Sequence, residues 1–141
     1  MDLPLYTAIT AGVLLVLQQL LMFSAGMHRA KTGQGVGSAG DLELERKVRR
    51  HGNLAENAAM YLVALGALEV LTGSTAVVAA FAASFVVARA LHAIGFSHLA
   101  GSHSPEHGPK LFMFARAGGA SLTGLLGIGL GLYLLYGLVA M

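Results

Sequence analysis

Arg46, Arg49, Asn53 and Glu56 stand three, four and three residues apart within ERKVRRHGNLAENAAMYLVALGALEVL. On an α-helix these intervals put all four side chains on one face. The segment runs on into an apolar stretch, and hydrocarbon accepts a charged side chain only at high cost unless the group has a partner or a task. Two guanidinium groups, a carboxamide and a carboxylate in one row supply the donors and acceptors that a polar, charged ligand requires. A lone Glu56 in such a place takes up a proton or finds a cation. Further along, Arg89 is followed by His92 and Phe96 at three and seven residues, again one helical face, and Arg116 lies within FMFARAGGASL.

Two readings of these residues compete. In one, Glu56 pairs with Arg89 or Arg116, and the row is a structural ion-pair network. In the other, Arg46, Arg49, Arg89 and Arg116 outnumber the single carboxylate, and surplus positive charge in a partly dry cavity binds an anion. Lys47 and Arg50, beside the row, read as interfacial anchors whose side chains snorkel to lipid phosphates.

The elements that must carry these residues are membrane spans. The chain has 141 residues, a length suited to one domain; it is 55% hydrophobic and 11% charged, with a mean hydropathy of +0.68. So little charge, grouped into a few segments, points to the bilayer as solvent. A membrane helix needs roughly 20 mainly apolar residues, and residues 5–27, 43–71, 75–97 and 111–139 supply four such stretches. The first is too long for a signal-peptide core and reads as retained. The expected fold is all-α, a four-transmembrane-helix bundle forming a single domain over residues 1–141.

Connectors set the orientation. Residues 28–50 hold Arg29, Lys31, Arg46, Lys47, Arg49 and Arg50, and residues 98–110 hold His98, His103, Glu106, His107 and Lys110, broken by Pro105 and Pro109. Thr72-Gly73-Ser74 carries no charge. The positive-inside rule puts the first and third connectors in the cytoplasm and both termini on the far side. The uncharged turn makes spans two and three an antiparallel hairpin. Glu69, just before that turn, reads as an interfacial residue. Gly127 and Gly131 form a small-xxx-small step for close helix contact.

Several function classes fall away. A net charge of +2 is too small for a nucleic-acid partner, and the absence of cysteine excludes disulfides, Cys-ligated metal and a cysteine nucleophile. Gly35, Gly37 and Gly40 fit G-x-G-x-x-G, yet they join two membrane helices rather than a strand and a helix, so no nucleotide site is expected. Of six histidines only His92 lies well inside an apolar span, and His51 is marginal near a helix end. His98, His103 and His107 read as a solvated loop, and no metal or haem is expected. No broken helix pair or inverted repeat points to a carrier.

These residues resemble the MAPEG family, the membrane-associated proteins in eicosanoid and glutathione metabolism, in its small bacterial form. The family's second-helix pattern of arginine, asparagine and glutamate matches Arg49, Asn53 and Glu56, with Arg46 upstream. Arg89, His92 and Gly95-Phe96 look like its third-helix pattern, and Arg116-Ala117-Gly118-Gly119 like its fourth. The resemblance implies a homotrimer with glutathione as co-substrate, bound at the cytoplasmic side between neighbouring subunits. The ligand-binding set it implies is Arg49, Asn53 and Glu56, then Arg46, Arg89 and Arg116, with His92 beside them. Arginines would take the glutathione carboxylates, Glu56 the ammonium, and Asn53 would donate or accept beside it. The implied activity is that of a glutathione transferase or peroxidase. A thiol brought down from a pKa of about 8.5 would attack a lipophilic electrophile arriving from the bilayer. The family's tyrosine and proline after the glutamate are replaced by Asn57 and Ala59, and its third-helix tyrosines by His92 and Phe96. The arginine that stabilises the thiolate in the leukotriene-type enzymes has no match; His103, His107 and Lys110 are the nearest basic residues. The alternative is a non-catalytic membrane subunit or scaffold of the same fold. A compact chain without retention or lipidation motifs fits a bacterial inner membrane.

Overall fold

The computed structural model describes residues 3–102 and 108–139. Its elements are α1 (Leu5–Thr32), α2 (Leu42–Thr72), α3 (Ala76–Gly95), a single turn α4 (Leu99–Ser102) and α5 (Lys110–Val139). All but α4 are long and apolar enough to cross a bilayer. Local signals set the ends. Gly33, with φ of 70°, terminates α1 in the left-handed conformation that only glycine adopts without strain. Asp41 caps α2 by accepting from Glu43 N and Leu44 N, and Thr75 caps α3 by accepting from Val78 N.

Cross-helix contacts give the directions. Tyr61 donates to the Phe81 carbonyl at 3.0 Å, Asn53 accepts from Arg89 at 3.0 Å, and Arg46 donates to the Phe96 carbonyl. Numbers that fall along α2 while they rise along α3 make the two antiparallel. By the same logic Thr123 meets Arg89 while Gly129 lies by Phe81, so α5 runs against α3. Glu69 reaches Tyr6 and Thr7, so α2 runs against α1. The core between them holds Leu54, Leu65, Leu68, Val78 and Phe85, with the Tyr61 and Phe85 rings stacked at 3.6 Å. Large apolar residues such as Phe23, Met60, Val87 and Leu125 point outward. That arrangement is costly in water and ordinary when the solvent is lipid.

The short Gly73–Thr75 turn links α2 and α3, but the tightest packing is between α3 and α5. A Cβ on Gly119 would sit 2.5 Å from His92 N and 2.7 Å from Ala88 O, and one on Gly95 would collide with the Arg116 backbone. These two glycines let the backbones touch. Within one copy of the chain, Gly127 and Gly131 would have nothing within 4 Å of an added Cβ and line an open cavity. Small-residue spacing marks where approach is possible, and the helix neighbour decides where it occurs. Gly119→Ala is expected to lower stability by about 1–3 kcal/mol through backbone displacement. Gly124→Ala, in open space, should stay within about 0.5 kcal/mol. Thermal unfolding in detergent measures both, and equal effects would overturn the assignment.

At the opposite end from the arginines, beside the Gly73–Thr75 turn, Glu69 is 2% exposed. Its carboxylate accepts from Tyr6 N at 2.9 Å, Thr7 N at 2.8 Å and the Ser74 hydroxyl at 2.6 Å. Pro4, at the start of α1, provides no side-chain cap, so α2 supplies one across the helix pair. A carboxylate is favoured there because a helix N-terminus carries partial positive charge. Glu69→Ala leaves two part-buried N–H groups without their acceptor and is expected to cost about 1–3 kcal/mol. Faster amide exchange confined to the first turn of α1 would identify the cause, and unchanged exchange there would refute it.

Candidate functional site

The site begins at the first turn of α2. Asp41 accepts from the N–H groups of Glu43 and Leu44, both at 3.0 Å, and from His28 Nε2 at 2.7 Å. The Leu44 N–H, then the His28 contact, hold its carboxyl below the usual range. The cap is therefore fully present above the ordinary carboxylate pKa and is lost only as pH falls through the lower folded value. His28 turns its other nitrogen, Nδ1, toward Lys47 Nζ at 3.0 Å, and Lys47 also lies 3.5 Å from Glu43. Lys47 thus ties α2 to α1 rather than serving only as a lipid anchor. Before it, Arg29 grips the glycine loop by donating to the carbonyls of Gln34, Gly35 and Gly37 at 3.0, 3.2 and 2.9 Å. Carbonyls turned inward onto a cation are the reverse of a phosphate cradle.

One turn along α2, the charges separate by environment. Arg46 is 6% exposed and is held by Glu43, through its Nε at 2.9 Å and through Nη2, and by the Phe96 carbonyl at the end of α3. Arg49 is exposed and has no partner among the described residues. Both line a cleft of about 160 Å³ with Asn53, Glu45, Phe96 and Arg116. Arg116 comes from α5. Its Nη1 donates to the carbonyls of Gly101 and Ser102 at 3.0 and 3.3 Å, closing the end of α4, and its guanidinium stacks 4.4 Å over the Phe96 ring.

Four of the seven expected residues therefore converge. Arg46, Arg49, Asn53 and Arg116 share the cleft; Arg89, His92 and Glu56 do not. Arg89 is 1% exposed and lies behind Asn53, and His92, 3% exposed, contacts it at 3.3 Å. Glu56 is exposed and faces a second cavity of about 310 Å³ between α2 and α5, shared with Asn57, Tyr61, Phe85 and Thr123. The expected ion pair between Glu56 and Arg89 or Arg116 is absent. The arginines' terminal nitrogens bond neutral acceptors nearer to hand: Arg89 meets Thr123 and Asn53, and Arg116 the Gly101 and Ser102 carbonyls, while Arg89 Nε is buried without a partner among the described residues. The charge count that set four arginines against one carboxylate also changes, because Glu43 takes Arg46 and Glu45 borders the cleft.

A third cavity, of about 300 Å³, adjoins the cleft. Ala100, Met113, Ala117 and Ala120 give it an apolar lining, and Arg116 and Ser102 belong to both spaces. Sequence reasoning missed Glu43, although its place three residues before Arg46 is a readable helical pair. It had no signal for Thr123 or Ser102, whose parts depend on helices distant in the chain. Among the described residues no three acidic or histidine side chains cluster as a metal site. His103, Pro105, Glu106 and His107 lie outside the described residues.

With this geometry in place, the comparison with protein families is decisive. The model of the MAPEG family matches residues 7–135. The chain belongs to the MAPEG family. It is accordingly an integral, multi-pass membrane protein of the family concerned with eicosanoid and glutathione metabolism. No protein with a curated description and no solved structure matches it. The MAPEG match spans every element that builds the cleft, from α1 to most of α5.

The two cleft arginines of α2 should behave differently on truncation. Arg46→Ala strands the Phe96 carbonyl, leaves Glu43 with Lys47 alone, and is expected to destabilise by about 1–3 kcal/mol. Arg49→Ala touches no partner and should stay within about 0.5 kcal/mol. Thermal unfolding in detergent tests the pair, and a large loss for Arg49→Ala would contradict its free state.

Proposed function

We propose that the cleft and the adjoining exposed face of α2 bind glutathione for a transferase- or peroxidase-type reaction on lipophilic electrophiles. One observation carries the reading: Arg46, Arg49, Asn53 and Arg116 converge on one cleft from two helices of a MAPEG chain. Guanidinium groups suit carboxylates through paired, charge-assisted hydrogen bonds. Glu56 lies seven residues beyond Arg49, a rise of roughly 10 Å along the helix. An extended tripeptide spans about 10 Å as well. Glutathione laid along α2 thus sets a carboxylate at Arg49 and its ammonium at Glu56, both exposed on that face. A neighbouring copy packed against this face would enclose the ligand and remove Glu56 from lipid, so the homotrimer belongs to the same proposal. So does an inner-membrane orientation with the basic end toward the cytoplasm, by the distribution of Arg and Lys.

The chemistry is nucleophilic attack by the bound thiol. Nearby cations lower its pKa, the proton leaves to water, and the sulfur forms a bond to carbon as the electrophile's leaving group departs. Arg116 suits the task of stabilising the thiolate. Its Nη1 is anchored, and its other nitrogens have no partner among the described residues. The apolar cavity on its far side would receive the electrophile from the bilayer.

A non-catalytic scaffold is the second reading. Two observations favour it: Arg46 is already satisfied by Glu43 and Phe96, and His92 and Phe96 stand where the family's enzymes carry tyrosines. Calorimetric titration of glutathione into detergent-purified protein separates the two. Saturable binding, weakened at least ten-fold by Arg49→Ala and by Glu56→Ala while both variants stay folded, is the expected result. Folded wild-type protein that shows no heat of binding would sink the transferase reading and leave the scaffold.

A further inference from the structure

Among the described residues Arg89 is the largest fully buried side chain, 1% exposed, and no carboxylate is paired with it. Its Nη1 donates to Thr123 Oγ1 at 3.1 Å. Its Nη2 donates to Asn53 Oδ1 at 3.0 Å and approaches the Asn53 carbonyl at 3.4 Å and His92 Nδ1 at 3.3 Å. Arginine has five N–H donors, no acceptor, and no accessible neutral form. Every group it meets must therefore turn an acceptor toward it, and this dictates the sense of the whole chain of bonds. Thr123 spends its proton on the Gly119 carbonyl at 2.7 Å and offers a lone pair to Arg89. His92 offers Nδ1, so in its neutral form the ring carries its proton on Nε2.

Asn53 is the link that reaches the cleft. Its carboxamide is ambiguous by itself, since either end could face the ligand. Here Oδ1 is occupied from behind by Arg89 and is also 3.4 Å from Asn57 Nδ2, which bonds the Asn53 carbonyl at 2.8 Å. Nδ2 has no partner among the described residues, and Asn53 lines the cleft with Arg46 and Arg49. The sequence alone left Asn53 free to donate or accept. The buried guanidinium removes that freedom.

We infer that Arg89 is a positioning residue for specificity: by holding Asn53 Oδ1 inside the bundle, it presents the amide nitrogen to the cleft, so that position 53 offers a ligand donors only. The ligand group that fits is a carboxylate bound between Asn53 Nδ2 and the neighbouring guanidiniums. This inference rests on the glutathione reading, but it removes Arg89 from the set of residues that touch the ligand. It also gives the third-helix arginine a task that a salt bridge to Glu56 would have prevented.

A double-mutant cycle on glutathione affinity in the full-length, detergent-purified protein tests it. Asn53→Ala and Arg89→Met are each expected to weaken binding about ten-fold, and the double variant to bind no more weakly than Asn53→Ala. If the two losses multiply, Arg89 acts independently of Asn53 and the inference fails. Asn53→Asp provides a readout that a merely structural role would not move, and it does not require Arg89 to be replaced. The aspartate keeps an acceptor on Arg89, so the thermal midpoint should hold or rise, while the second oxygen faces the cleft and affinity should fall at least ten-fold. Undiminished affinity in Asn53→Asp would overturn the inference even if Arg89→Met does not fold. Wild-type protein that binds no glutathione removes the functional reading and this inference with it. Wild-type binding with a multiplicative cycle removes only the role of Arg89.

Discussion

A permanently charged guanidinium buried among membrane helices, with no carboxylate paired to it among the described residues, has to find neutral acceptors, and this constraint organises the polar half of the bundle. Arg89 is on α3, Thr123 on α5 and Asn53 on α2, so pairing the two terminal nitrogens of one side chain fixes three helices relative to one another. The network depends in turn on backbone proximity. Gly119 lets α5 approach α3 closely enough for Thr123 to reach Arg89, and its own carbonyl accepts the Thr123 hydroxyl. A site that faces the ligand is thus supported by a layer that never touches it, a division of labour that keeps binding groups in one geometry.

The two ends of the bundle solve the same problem in different ways. At the end away from the arginines, the α1 amides receive an acceptor from another helix, the buried Glu69 carboxylate. At the basic end α2 caps itself with Asp41, and Arg46 and Arg116 satisfy the final carbonyls of α3 and α4. Arginine near a helix C-terminus opposes the negative end of the dipole. Some of the positive charge that looks like surplus in the sequence is therefore already engaged with the backbone. Arg49 and Glu56, without a partner among the described residues, lie on the outer face of α2, where a single copy of the chain leaves them uncovered.

Much of the fold was legible because membrane helices are specified by simple quantities. Length and apolarity mark the four long helices, and the family resemblance rested on Arg49, Asn53 and Glu56, whose helical spacing is local. The site was legible as a list of polar residues, but its partition was not. Arg46 and Arg49 are three residues apart, and one is buried while the other is exposed. Glu56 lies three residues beyond Asn53, and the two line different cavities. A face read from periodicity is wider than a cleft, so shared helical spacing does not place residues in one space.

The sequence by itself determined the solvent, the helices and which residues carry charge into the membrane, because burial in lipid and helical periodicity act over short stretches of chain. Tertiary structure alone decided the partners. Glu69 meets Tyr6 and Thr7 across more than 60 positions, and Arg89 meets Asn53 and Thr123 across 36 and 34. A guanidinium or a carboxylate accepts any well-placed complement, so its chemistry does not name a partner in advance. Helix packing does so, and it is set by the positions at which glycine allows two backbones to touch.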